Sequence, residues 1–300
     1  HQGHVRQAEP LFTEAVAAAD ATEHAHVWIA ASLSLGFCRQ LQGNMAANLR
    51  AGEEMVVRGR KHNQRQYIHW GLAQQGAALL RSDRLLEAEE RLRSSVDLAW
   101  DLPDYQCLNR AHGDLISALV RQGRVADAQT KLQQALSAPE IVAVRGKNAS
   151  VLRCAALEVR IALLEQDNHY ASPAAVTETQ DFVRAALREG RLYRPGLPVA
   201  LRLAGVLDWL LDRQDRALRR WNESIALAER FGATYTLAQA YLEMGRRMGD
   251  VSYRDKGEAL RKGMAFAKPI VLVDDAGPPE DPGGGDRVCG DSSSGGGRRE

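Results

Sequence analysis

A repeat of about 40 residues constrains this chain more than any other feature of its sequence. The residues at the predicted turns recur at this interval: Gly3, Gly43, Asp83 and Gly123. Between the turns, small and apolar residues follow helical spacing, as Gly76, Ala88 and Ser95 do within residues 70–99. A fixed period of this size predicts helical hairpins that stack on one another, each burying its apolar face against its neighbours.

The composition supports helices and excludes several classes of protein. Apolar residues make up 45% of the chain and aromatic residues only 6%, while good helix formers such as alanine, leucine and arginine are frequent. The 39 basic and 38 acidic residues balance, so no net field attracts nucleic acid or an anionic membrane. No run of about 18 apolar residues occurs, and a membrane span is not expected. Four scattered cysteines without a CxxC pair fit a reducing cytoplasm.

The repeat predicts an all-α fold: a right-handed superhelix of stacked antiparallel helical hairpins over residues 1–268. The period slips in the fourth unit, where a loop at residues 166–173 displaces the next helix by about nine residues and indicates an insertion. Residues 269–300 are rich in glycine, proline and serine, which predicts a disordered tail. The chain opens at His1 in a predicted turn, so we expect it to be a fragment of a longer protein.

The spacing resembles that of the tetratricopeptide repeat, a helical hairpin of about 34 residues with small residues at the helix crossings and glycine or aspartate at the turn. The longer period here implies longer helices and loops than in that family. The resemblance covers most of residues 1–268 and implies a fold, because this scaffold serves many functions.

A closer resemblance lies in the fifth and sixth units. Asp208-Trp209-Leu210, Arg216–Trp221 and the segment 240–246 (AYLEMGR) are similar to the C-terminal repeats of large bacterial signalling proteins. In those proteins an AAA- or STAND-type ATPase module joins a nucleotide cyclase, a protein kinase or a LuxR-like DNA-binding domain to a helical-repeat tail. The resemblance implies that this chain is a sensor or docking arm controlling an upstream module.

Motifs that carry catalysis are missing from the sequence. The segment 145–148 (RGKN) contains a Gly-Lys pair but lacks the earlier glycine and the following Ser or Thr of a phosphate-binding loop. No HExxH, GxSxG or kinase signature occurs, and the eight histidines are not spaced as metal ligands. We therefore expect no enzymatic activity, no cofactor and no metal site.

The repeat frame assigns eight residues to the first helices of their units, on the side that lines a concave groove. They are Trp70, Arg110, Ser117, Arg121, Arg202, Trp209, Gln239 and Arg246. Four arginines on one face suit an acidic peptide or a terminal carboxylate. Ordinary solvated polar residues explain the polar part of this pattern at least equally well, and core positions are the better interpretation of the two tryptophans.

The leading functional hypothesis is a non-enzymatic, cytoplasmic module that binds a protein or peptide, or its own upstream ATPase module, and neither nucleic acid nor a membrane. The alternative is a sensor of a small ligand or peptide, with a pocket near the insertion in the fourth unit, around His169 and Tyr170.

Overall fold

A computed structural model describes residues 5–100, 102–166 and 172–264. These residues form fourteen α-helices and one short 3-10 turn, Arg194–Gly196, with no strand among them. The helices are α1 Val5–Ala21, α2 Ala25–Gln42, α3 Met45–Lys61, α4 Arg65–Arg81, α5 Leu85–Ala99, α6 Tyr105–Arg121, α7 Val125–Leu136, α8 Pro139–Ala143, α9 Lys147–Gln166, α10 Pro173–Leu192, α11 Leu197–Leu210, α12 Gln214–Phe231, α13 Thr234–Met248 and α14 Val251–Met264. The predicted all-α class is confirmed, and the predicted tail lies outside the described residues.

The first seven helices follow the repeat closely. They begin at residues 5, 25, 45, 65, 85, 105 and 125, so the starting points are evenly spaced and every second helix opens a new hairpin. Consecutive helices pack against each other across short turns, which is the geometry of helical hairpins. This packing agrees with a helical repeat.

The turns share one backbone conformation, which explains the residues that recur there. Glu23, Gly43, Asn63, Asp83 and Gly123 all have positive φ, and they lie at the same point of successive helix-turn segments. A helix commonly ends on a residue in the left-handed region, where glycine carries no penalty and Asn or Asp is tolerated. The equivalent position 103 is proline, whose ring holds φ at a negative value.

The fourth unit departs from the period, as its sequence predicts. The short α8 precedes α9, and α9 is 20 residues long where α2, α4 and α6 have 17 or 18. In consequence α10 begins at Pro173, later than the even spacing of α1 to α7 would place it. The predicted insertion residues His169 and Tyr170 lie outside the described residues.

Small residues allow neighbouring helices to approach closely, both within a hairpin and between successive hairpins. A Cβ atom at Gly52 of α3 would lie 2.8 Å from the carbonyl oxygen of Gly71 in α4, so any larger residue would force the helices apart. In the fifth unit, Gly205 faces the ring of Trp221, which is 0% exposed. Trp221 is therefore part of the core.

The helices that come first in each unit surround a common centre. These are α2, α4, α6, α9, α11 and α13; each packs on the next of the series, and α13 also packs on α2. Arg121 of α6 donates a hydrogen bond to the hydroxyl of Tyr235 in α13, 3.2 Å away. Arg261 of α14 forms an ion pair with Asp83 at 2.9 Å. The last two helices therefore close the series against the first units and leave a central cavity that is partly open to solvent.

Candidate ligand-binding cavity

The cavity enclosed by the first helices has a volume of about 430 Å³. Each of the six helices contributes an apolar or aromatic side chain to its wall, the residues being Phe37, Leu80, Val120, Ile161, Leu203 and Tyr235. This volume lies in the range of sites that hold small organic molecules. An apolar wall with a limited number of charged groups is also typical of such sites.

One wall carries a balanced network of three arginines and three glutamates. Arg202 of α11 lies 3.3 Å from Glu158 of α9 and 4.0 Å from Glu243 of α13. Glu243 also pairs with Arg246 at 2.9 Å and with Arg247 at 2.7 Å. Arg247 further contacts Glu165 of α9. Each cation here has an anionic partner, so the network joins three helices without a surplus of charge.

The surroundings of Glu243 keep that carboxylate ionised. Burial raises the pKa of Glu243, but Arg202, Arg246 and Arg247 outweigh this effect and hold the pKa below its ordinary value. Ser117 of α6 extends the network by donating a 2.6 Å hydrogen bond to Glu158. The wall therefore presents ionised groups that are already oriented by one another.

A second set of charges connects α4, α6 and α2. Arg81 donates to the Oδ1 atom of Asp114 at 3.0 Å, and the Nε atom of Arg110 lies 3.7 Å from Oδ2 of the same carboxylate. Arg110 also donates to Gln40 of α2 at 2.7 Å. Because two guanidinium groups share one carboxylate, one positive charge in this set is not neutralised.

A third group of residues surrounds the ring of Phe37, and we call it the Phe37 cluster: Phe37, Arg110, Lys147 and Tyr193. The ring of Tyr193 meets that of Phe37 edge to face, with centroids 5.7 Å apart. The Cζ atom of Arg110 lies 5.2 Å from the Phe37 centroid, and the Nζ atom of Lys147 lies 4.7 Å from it. One ring thus faces two cations, each within the range of a cation–π contact.

Lys147 has no carboxylate within ion-pairing distance among the described residues. It lines the cavity and is half-buried at the first residue of α9. Burial lowers the pKa of Lys147, and the neighbouring Arg110 lowers it further. The ammonium is therefore the least compensated charge of the cavity wall.

The sequence predicts eight groove residues, and five of them lie in the cavity wall: Ser117, Arg121, Arg202, Gln239 and Arg246. Arg110 lies behind the wall, 6% exposed, in contact with Phe37, Gln40 and Asp114. The structure thus brings the polar members of the predicted set to one centre, although their ability to bind a partner stays a prediction.

The two tryptophans of the predicted set lie elsewhere. Trp70 stacks on Tyr67, with centroids 5.9 Å apart, and donates a hydrogen bond from Nε1 to Asp104. Trp209 is half-buried against Trp221 at 5.6 Å. Both rings pack between helices and neither reaches the cavity wall.

The site also contains three residues that the repeat pattern does not predict: Phe37, Lys147 and Tyr193. Phe37 directly follows Gly36, which lies one period of 40 residues before Gly76, and a residue that faces the partner helix is expected there. Lys147 lies in the segment RGKN, and Tyr193 precedes the 3-10 turn that interrupts the period. Nothing in the spacing of these residues indicates that they meet, because the repeats that carry them are far apart in sequence.

Comparison with known proteins does not assign this chain to a family. No protein-family model matches the chain, and no curated protein sequence matches it. Within residues 5–100, 102–166 and 172–264, no group of three His, Cys, Asp or Glu side chains is arranged to hold a metal ion. No helix in these ranges is long and apolar enough to cross a membrane.

Proposed function

We propose that the helical domain is a non-enzymatic binding module that takes a small organic molecule, or the end of a peptide, into its central cavity. The observation that carries this proposal is the enclosure of about 430 Å³ by six helices from six consecutive units. Apolar side chains from every unit bury the body of such a ligand, and the ionised groups orient it. This proposal unites the two functional hypotheses from the sequence. The predicted groove residues would form the binding site, and the ligand would be the small molecule or peptide of the sensor hypothesis.

The closed series of helices limits the size of the ligand. An open superhelix presents a continuous concave groove to a long peptide, but here α13 packs on α2. Hydrogen bonds from Arg121 to Tyr235 and from Arg110 to Gln40 link helices on different sides of the centre. A ligand of the cavity volume fits this enclosure, whereas an extended peptide fits only by its terminal residues.

The cavity also supplies a mechanism for regulation. A ligand inside it contacts the first units and the last units at once, so it stabilises the closed arrangement relative to an open one. We propose that this domain is a right-handed, tetratricopeptide-like superhelix and serves as the cytoplasmic sensor arm of a larger bacterial signalling ATPase or transcription regulator. The family resemblance of residues 208–246 supports that role.

A thermal-shift screen with a cavity-filling variant tests the proposal. Metabolites and short peptides are screened against the wild type, Ala162→Trp and Ala174→Trp. Ala162 lines the cavity, whereas Ala174 is exposed on α10 and serves as the matched control. A ligand at about 100 times its Kd stabilises the native state by about 2.7 kcal/mol. The melting temperature should rise in the wild type and in Ala174→Trp only; equal shifts in all three proteins would place binding outside the cavity.

Docking of a protein, including the upstream ATPase module, is the second candidate function. Exposed apolar side chains on α5 favour it: Leu86 is 75% exposed and Trp100, just after the helix, is 55% exposed. The two positions are about four helical turns apart, which puts them on one face. The double variant Leu86→Asp, Trp100→Ala should weaken association with the separately expressed upstream module, and unchanged affinity would exclude this face.

A further inference from the structure

The charges around the cavity do not cancel, and their surplus lies in one place. Arg202, Arg246 and Arg247 are matched by Glu158, Glu165 and Glu243. Arg121 is paired with Asp83, and Arg81 with Asp114. Among the described residues around the cavity, two cations then remain, Arg110 and Lys147, and both face the ring of Phe37. The surplus positive charge is therefore confined to the Phe37 cluster.

Lys147 occupies a position that is electrostatically unfavourable in three respects. Its side chain is half-buried, so the charged ammonium loses part of its favourable hydration. Arg110, the other cation on the Phe37 ring, repels it. It also begins α9, and a positive charge at the N-terminus of a helix opposes the helix dipole. A bound anion would relieve all three costs at once.

Arg110 has spare hydrogen-bonding capacity beside the same ring. Its side chain is 7% exposed and its Nε atom has no hydrogen-bond partner among the described residues. Within the part of the chain that the structure describes, only Asp114, which Arg81 also uses, supplies Arg110 with a negative charge. The Phe37 cluster thus combines one uncompensated ammonium, one partly compensated guanidinium and the apolar faces of two aromatic rings.

We propose that the Phe37 cluster is an anion subsite, in which Lys147 binds the carboxylate of an amphipathic ligand whose apolar part fills the cavity. This inference rests on the proposed binding function and adds the chemical class of the ligand. Two kinds of ligand carry such a head group: a free monocarboxylate and the free C-terminus of a short apolar peptide. In either case the apolar body lies against residues such as Ile161 and Leu203 of the wall.

The test is a calorimetric titration of the full chain with four probes. Octanoate and octanol have the same number of carbon atoms but carry different head groups, an ionised carboxylate and a neutral hydroxyl. N-acetyl-leucyl-leucine and its C-terminal amide make the same comparison for a peptide end, so the two pairs distinguish the two sources. The wild type should bind at least one of the acids at least about tenfold more tightly than its neutral analogue, because a hydrogen bond to a charged group contributes that much or more.

Variants at Lys147 assign the effect to its charge. Lys147→Gln should weaken binding of the acid about tenfold or more and leave binding of octanol unchanged, whereas Lys147→Arg should retain most of the affinity. Lys61→Gln, at an exposed position of α3, is the matched control. Melting temperatures of all three variants near the wild-type value establish that the fold is intact.

Three results would overturn the inference, and they differ in what they leave standing. If octanol and octanoate bind with equal affinity, and Ala162→Trp abolishes both, the cavity binds ligands but has no anion subsite. Acid-selective binding that Lys147→Gln leaves unchanged would reject Lys147 as the anion's partner. If none of the four probes binds at millimolar concentration, both the subsite and the proposed binding function are wrong.

Discussion

Arg121 donates a hydrogen bond from Nη1 to the hydroxyl of Tyr235, 114 residues further along the chain. In an extended solenoid each repeat touches only its neighbours, so a contact between the third unit and the sixth shows that the series of first helices closes. Arg121 also contacts the carbonyl oxygen of Leu80 at 2.6 Å and the carboxylate of Asp83. Arg121 therefore links the turn of the second unit to α13, which is the first helix of the sixth unit.

The ion pairs of Asp83 should help to hold the structure closed. Asp83→Asn keeps a residue that tolerates the positive φ of 63° and removes the charge that pairs with Arg121 and Arg261. Because these side chains are partly exposed, we expect a loss of only about 0.5–1 kcal/mol in the free energy of unfolding. Hydrogen exchange at the start of α13 should become faster.

Asp212→Asn is the matched control for that variant. Asp212 has a φ of 56° in the corresponding turn of the fifth unit, but its side chain accepts a hydrogen bond from the neighbouring Gln214. Its substitution should leave exchange in α13 unchanged. Equal effects of the two variants would show that the turn itself, and not closure, determines the change.

The indole of Trp221 should be a major source of stability. Its side chain is fully buried, and Nε1 donates a 3.0 Å hydrogen bond to the carbonyl oxygen of Arg202. Trp221→Ala should lower the free energy of unfolding by about 3–5 kcal/mol, as truncation of a buried aromatic residue usually does. Urea denaturation measures this value. Trp100→Ala, at a side chain that is 55% exposed, should cost less than about 1 kcal/mol.

Buried histidines should make the fold less stable in weak acid. His112 is 0% exposed, and burial lowers its pKa from 6.5 to about 4. Below pH 6.5 the unfolded chain binds a proton that the native state does not, so stability falls as the pH falls towards 4. His112 alone accounts for a loss of about 2 kcal/mol between pH 7 and pH 5.

Urea denaturation at pH 7 and pH 5 measures this dependence. His112→Leu replaces the ring by an apolar side chain and should reduce the difference between the two pH values by about 2 kcal/mol. The buried His69, whose pKa is also lowered by burial, should retain its own contribution. His62→Gln, at an exposed position, is the control. An unchanged difference in His112→Leu would contradict the account.

The helices and their turns are predictable from sequence because local features specify them. The sequence period matches the starting points of α1 to α7, and the positive φ of Gly43, Asp83 and Gly123 explains why glycine and aspartate recur. Each of these features depends on neighbours within one or two units.

The cavity is not predictable in the same way. Its closure depends on small rotations between repeats that accumulate along the series, and the sequence pattern does not encode them. The repeat frame therefore places Trp70 and Trp209 with the groove residues, although both pack between helices. It also leaves out Phe37 and Lys147, which meet only when the series closes.

Disulfide formation between residues 43 and 234 tests closure most directly. A Cβ atom built on Gly43 lies 3.4 Å from Cβ of Thr234, close to the separation of about 3.8 Å that a disulfide requires. The double variant Gly43→Cys, Thr234→Cys is oxidised with copper phenanthroline and examined by non-reducing electrophoresis, beside the two single variants. Gly43→Cys introduces some strain at positive φ, and its Cβ would lie 2.8 Å from Cγ of Met264, so that flexible side chain has to move aside. The melting temperature of the reduced protein is therefore measured first.

The closed arrangement predicts that the double variant forms an intramolecular disulfide, seen as a faster-migrating band that reducing agent abolishes, and that neither single variant does. A folded double variant that stays reduced would show that α2 and α13 are apart in solution. The cavity and its proposed ligand would then have no structural basis.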